Sequence, residues 1–197
     1  MWEWIPRDMR AYVALFLAQI MLITLLSPLV SADDVETSGD VSWNGTIVLD
    51  GNYTVSTGDT LTISPGTLID AKEYYIYVNG TLIGDNATIY SSTPSKIGDV
   101  SNAYMPGVWD GLFIGNGGNA ILDNMTISNA SSCLSVYGDL EAKNLELSNC
   151  LLGLDLHGEA TVSMFTANHT GAYGIRNTGN LSINNSDFAQ TTIGIYS

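Results

Sequence analysis

Few residues in this chain could do chemistry. It has two histidines, His157 and His169, two cysteines, Cys133 and Cys150, and six basic residues against twenty acidic ones. A transition-metal site needs His, Cys or Met side chains that converge, and the methionines nearest the histidines are Met125 and Met164. A hydrolytic site needs two carboxyl groups facing one cleft. The acids available for that are Asp123, Glu141, Glu146, Asp155 and Asp187, with no adjacent pair among them. Nine asparagines stand in N-x-S/T sequons: Asn44, Asn52, Asn79, Asn86, Asn124, Asn129, Asn168, Asn180 and Asn184. In an exported protein these are candidate glycan acceptors. A turn asparagine followed by an alternating strand also generates such sequons without any glycan.

The elements that must position these residues come from an internal repeat. From Ala120 the chain divides into AILDNMTISNASSCLSVYGD, LEAKNLELSNCLLGLDLHGE and ATVSMFTANHTGAYGIRNTGN, and LSINNSDFAQTTIGIYS begins a fourth unit. Met125, Leu145 and Phe165 share one column, and Ile127, Leu147, Ala167 and Phe188 a second. Leu134, Leu154, Ile175 and Ile195 form a third, preceded by Gly153, Gly174 and Gly194 in the last three. Apolar and polar residues alternate within each segment, the period of a half-buried strand. Gly, Asn, Ser and Asp fill the gaps, as turns require. A repeat this short cannot bury its own apolar face. Coiling solves the problem, because each strand then pairs in parallel with its copy one turn later, about 4.8 Å away. The expected fold is all-β: a right-handed parallel β-helix, or β-solenoid, with turns of about twenty residues. Asn129, Asn149, His169 and Gln190 share a column and read as a polar ladder at a bend, satisfying corner backbone groups. His157 and His169 fall in different columns, which argues against a shared metal.

The earlier half carries the same design less regularly. Thr60–Ile63, Thr67–Ile69, Tyr74–Val78, Thr81–Ile83 and Ala87–Ile89 read as short strands broken by P-G, N-G and G-D turns. Residues 91–107 are polar, contain two prolines and read as a surface loop, before Val108–Leu112 resumes the coil. Residues 1–32 read as a signal helix: Arg7 and Arg10 precede an apolar stretch from 11 to 30, and V-S-A ends it. Left uncleaved, the same stretch is long enough to anchor the chain in a membrane. Either way, residues 33–197 form one domain on the extracytoplasmic side, secreted or at a cell surface.

Removing residues 1–32 takes away two of six basic and two of twenty acidic residues, so the net charge stays at −14. Such a surface repels nucleic acid and anionic polysaccharide, which need clustered Lys or Arg. In an oxidising compartment Cys133 and Cys150 can form a disulfide; two buried thiols are the alternative. No cofactor is expected, calcium at D-G or G-D turns being the one cation such turns could hold.

Y-T-V-S-T-G-D-T-L-T-I-S-P-G-T-L-I-D (53–70), I-Y-V-N-G-T-L-I-G (76–84) and P-G-V-W-D-G-L-F-I (106–114) resemble the opening turns of exported right-handed parallel β-helix repeat proteins. The later turns are similar to NosD-like and pectin-lyase-like repeats, and the resemblance covers roughly residues 43–197. It implies the fold and leaves activity open, because that superfamily spans lyases, hydrolases, adhesins, surface-layer components and copper-site maturation proteins. Lyases of the group use basic residues as proton acceptors. Here Arg176 has no second basic residue in a neighbouring column. Hydrolases of the group show N-T-D and G-H-G motifs, whereas Asn177-Thr178-Gly179 lacks the acid and Leu156-His157-Gly158 lacks the first glycine. The expected function is therefore a non-catalytic extracellular scaffold or adhesion module, contacting cell-surface glycans or surface proteins. Tyr74, Tyr75, Tyr77, Tyr90 and Tyr104 are candidates to stack on sugars. A carbohydrate-active enzyme and a periplasmic copper-handling accessory protein are the alternatives. Because the sequence stops inside a repeat at Gly194–Ser197, continuation into further turns or end-to-end self-association is also expected.

Overall fold

The computed structural model describes residues 34–93 and 109–197. The signal segment expected at 1–32, and all of the expected 91–107 loop beyond Ser91–Thr93, lie outside the described residues, as does Tyr104. The described chain is a parallel β-solenoid. Its first coil is β1 (Val35–Glu36), β2 (Val41–Trp43) and β3 (Thr46–Val48), and its second β4 (Tyr53–Val55), β5 (Thr60–Ile63) and β6 (Leu68–Asp70). The third is β7 (Ile76–Val78), β8 (Thr81–Asp85) and β9 (Thr88–Tyr90), and the fourth β10 (Leu112–Ile114), β11 (Asn119–Asp123) and β12 (Thr126–Ser128). Then follow β13 (Ser132–Val136), β14 (Asp139–Lys143), β15 (Glu146–Leu156), β16 (Glu159–Ser163), β17 (Thr166–Asn177), β18 (Asn180–Asn184), β19 (Asp187–Ala189) and β20 (Ile193–Tyr196). β15 and β17 are long because each rounds a corner and serves two faces.

Three faces result. The first is the seven-stranded sheet β18-β16-β14-β11-β8-β5-β2. The second stacks β3, β6, β9 and β12 on the starts of β15 and β17 and ends at β19. The third stacks β1, β4, β7, β10 and β13 on the ends of β15 and β17 and finishes at β20. The coil thus begins before residue 43, and β1 to β4 were not among the strands expected. Those expected at Tyr74–Val78 and Thr81–Ile83 become a shorter β7 and a longer β8. Between β9 and β10 the rhythm breaks: Asn86 meets Asn124, 38 positions on, where other coils are offset by 18 to 23.

The expected apolar columns are the core through the sixth coil. Met125, Leu145 and Phe165, then Ile127, Leu147 and Ala167, then Leu134, Leu154 and Ile175 are all buried in register. Their members in the last coil are not: Phe188 is half-buried and Ile195 exposed, with no later described coil to cover them. Each large side chain so buried favours the fold by about 1.5–3 kcal/mol. At the corners, one residue per coil turns the chain by adopting left-handed backbone geometry. Asn129, Asn149, His169 and Gln190 do so with φ between 52° and 60°, at the bend the sequence suggested. A second ladder joins the first face to the second: Asn86, Asn124, Asn144, Met164 and Asn185, with φ between 45° and 55°. Asn124 Nδ2 donates to Asn86 Oδ1 across it at 2.9 Å.

Asparagine tolerates this conformation, whereas a residue such as methionine is disfavoured there by about 1–2 kcal/mol. Met164 is exposed, so its side chain recovers little by packing. Met164→Asn is expected to raise the unfolding free energy by about 1 kcal/mol, read as a higher urea midpoint. A lower midpoint would show that Met164 contributes packing that outweighs its backbone strain.

Candidate functional site

On the third face the side chains between the buried positions point outward. They form one column in continuous register: Thr54, Tyr77, Phe113, Ser135, Asp155, Arg176 and Tyr196. Stacked strands place successive members about 4.8 Å apart. The backbones beneath them pair in parallel from coil to coil, so the side chains are presented rather than gathered.

The middle of the column holds a polar cluster centred on Asp155. Arg176 Nε donates to Asp155 Oδ1 at 2.7 Å and Nη2 to Oδ2 at 2.5 Å, a bidentate pair. The Asp155 side chain is 7% exposed, while Arg176 is half-exposed. The hydrogen bond to Asp155 raises the Arg176 pKa above its ordinary value, burial working against it and the nearby Asp155 charge with it. His157 sits beside the pair, its Nε2 3.4 Å from Asp155 Oδ1. Its Nδ1 lies 2.8 Å from Thr178 Oγ1. The ring stacks on Tyr137 at 4.5 Å and 9°. Ser132 and Ser135 share a hydrogen bond of 2.9 Å one coil away.

Asp155 is buried, and its charge is compensated by Arg176. His157 approaches the same carboxylate from the adjacent outward column. The signal was present in the sequence, because Asp155 and Arg176 each directly follow a member of the third apolar column. Chemically, both carboxylate oxygens are taken by the guanidinium, which removes Asp155 as a free base. What remains is a planar ion pair with outward donors, suited to ordering hydroxyl groups.

Aromatic rings flank this centre. Towards the first coil, Tyr75 and Phe113 stand 6.3 Å apart at 88°, and Tyr77 and Phe113 6.5 Å apart at 34°. With Thr54 and Asp110 they line an open groove. Towards the last coil, Tyr173 and Tyr196 pair at 5.3 Å. Tyr74 instead packs against the core, and Tyr90 lies on the second face.

The other chemistry-bearing residues are dispersed. Asp123, Glu141, Glu146 and Asp187 are exposed. Met125 is core and Met164 a corner, while His169 occupies the other bend. Among the described residues no three His, Cys, Asp or Glu side chains are placed to hold a metal ion. Cys133 and Cys150 are fully buried, with Cα atoms 5.7 Å apart and their sulfurs paired. At the root of the insertion, Asp70 accepts from Ser92 Oγ at 2.6 Å and from Lys72 Nζ at 2.7 Å. Burial alone would raise the Asp70 pKa; these bonds override it and lower it to about 2.

The sequons separate by what their amides already do. Asn44 and Asn184 are exposed. Asn86 and Asn124 are exposed but bonded to each other. Asn180 donates to Glu159, Asn52 to Asp34, and Asn129 to the Ser91 carbonyl. Asn79 and Asn168 are half-buried.

No protein-family model, no curated protein and no solved structure matches the chain.

Proposed function

We propose that the chain is a non-catalytic, extracytoplasmic scaffold or adhesion module whose third face contacts glycans. The observation that carries this reading is the outward column of that face, with aromatic rings at both ends and the Asp155–Arg176 pair between them. Rings stack on the apolar faces of sugars, and a planar ion pair exchanges hydrogen bonds with vicinal hydroxyls. The net charge of −14 directs the choice toward neutral or cationic sugars rather than uronates. The acidic surface and the stretch at 11–30 support an exported protein, and the exposed Asn44 and Asn184 are the sequons best placed to carry glycans themselves.

The test is a glycan array with the purified protein, repeated with Tyr137→Ala. Tyr137 is exposed and its ring covers His157, so its loss spares the core. Binding of neutral glycans that falls about tenfold in the variant is the expected result. An array with no binding would remove the reading. The proximity of His157 to Asp155 favours a carbohydrate-active enzyme as the second reading, and release of reducing sugar or unsaturated product from an array hit would install it instead.

A further inference from the structure

The groove at the first-coil end of the third face differs in kind from the polar centre. Its lining is Thr54, Tyr75, Tyr77, Asp110 and Phe113, three aromatic rings with one carboxylate and no basic residue. Tyr75 and Phe113 meet nearly at right angles, forming two walls, and Tyr77 is inclined to Phe113 by 34°. The Tyr77 ring passes close to Gly115. A Cβ on Gly115 would come within 2.8 Å of its hydroxyl oxygen, so the ring takes space only a glycine leaves. Phe113 and Tyr77 are also direct register partners on β10 and β7, which fixes the spacing of the rings by backbone pairing.

Aromatic faces carry the negative side of the ring quadrupole, and several faces around one site favour an organic cation. The exposed Asp110 supplies a full negative charge at the same groove. The protein's net charge of −14 adds long-range attraction for cations and repels anions. An inorganic cation would have to shed its water for rings that cannot replace it, whereas an alkylated ammonium presents methyl groups that the rings cover well.

We propose that this groove binds an organic ammonium cation, a quaternary or alkylated amine group, between Tyr75, Tyr77 and Phe113 with Asp110 as its counter-charge. This assignment goes beyond the glycan reading and does not depend on it.

Choline and its neutral carbon isostere, 3,3-dimethylbutan-1-ol, distinguish charge from shape. Titrated separately into the full-length protein and followed by ring-proton NMR, choline should bind with a Kd on the order of 1 mM. The isostere should bind at least tenfold more weakly. Asp110→Asn should weaken choline at least threefold, and more so at low salt, while Phe113→Ala should weaken it at least tenfold. Asp110 is exposed, so its isosteric change leaves the fold intact and keeps the test independent of Phe113. Equal binding of choline and the isostere, an unchanged choline affinity in Asp110→Asn, or no ring perturbation by choline would each overturn the proposal. Choline affinity should be unchanged in Tyr137→Ala, whose ring does not line this groove, so failure of one reading is distinguishable from failure of the other.

Discussion

Trp109→Ala should lower the unfolding free energy by about 4 kcal/mol, within the range seen for large aromatic side chains deleted from protein cores. Among the described residues Trp109 is the bulkiest fully buried side chain. Its indole Nε1 donates to the Ser128 carbonyl at 3.0 Å, and its backbone forms an isolated parallel bridge to Ala130. It is also the residue at which the described chain re-enters the coil after the insertion, one position before Asp110. Two losses therefore combine, a cavity in the core and the loss of the indole donor to a half-buried carbonyl. A solenoid coil contacts only its neighbours, so the damage should be local as well as global. Hydrogen exchange is expected to accelerate first in β9, β10 and β12, which surround the site. Trp109→Phe separates the causes, since it fills most of the space and loses only the hydrogen bond; about 1–2 kcal/mol is expected. A change below 1 kcal/mol for alanine would mean that Trp109 does not close this part of the core.

How legible was this molecule from its residues? The columns of Met125, Ile127 and Leu134 could be found because a parallel solenoid stacks like on like. The same chemical demand then recurs every coil and is written repeatedly in the sequence. The bend at Asn129, Asn149, His169 and Gln190 was legible for the same reason. The first coils were harder. β1 and β3 expose Val35 and Val48 and carry little alternation, so a pattern sought over many residues does not register them. The site was hardest of all. Asp155 and Arg176 look like ordinary outward residues when each segment is read alone, because the partner that compensates Asp155 lies one coil away. Only alignment of the outward columns, with the same care given to the apolar ones, exposes that pairing. The aromatic groove adds a second difficulty: Tyr75 lies outside β7 in the connecting segment, and its angle to Phe113 is set by packing rather than by periodicity.

Gly158→Ala is expected to destabilise the protein by about 3 kcal/mol although it adds a single methyl group. Gly118, Gly138, Gly158 and Gly179 occupy one corner, between the third and first faces. At each of them an added Cβ would lie 2.0–2.2 Å from a carbonyl oxygen of the preceding coil. For Gly158 that oxygen belongs to Gly138, and the Tyr137 carbonyl oxygen follows at 2.6 Å. Neither can turn aside. Both are backbone atoms, and the Gly138 carbonyl already accepts from Glu159 N at 3.0 Å. Relief requires coils to separate, which breaks rungs on two faces at once. Gly117→Ala provides the control, because Gly117 has φ of 93° but nothing within 4 Å of an added Cβ. Its cost should be only the left-handed backbone penalty, about 1–2 kcal/mol. The larger effect at Gly158 should also reach the site, since His157 is its chain neighbour and Tyr137 supplies the second clashing carbonyl. Stacking of those two rings should weaken, seen as altered ring chemical shifts, under conditions where Gly117→Ala leaves them unchanged. If instead Gly158→Ala proves no more destabilising than Gly117→Ala, the coils yield at this corner, and the third face is a softer platform for a ligand than its hydrogen bonding implies.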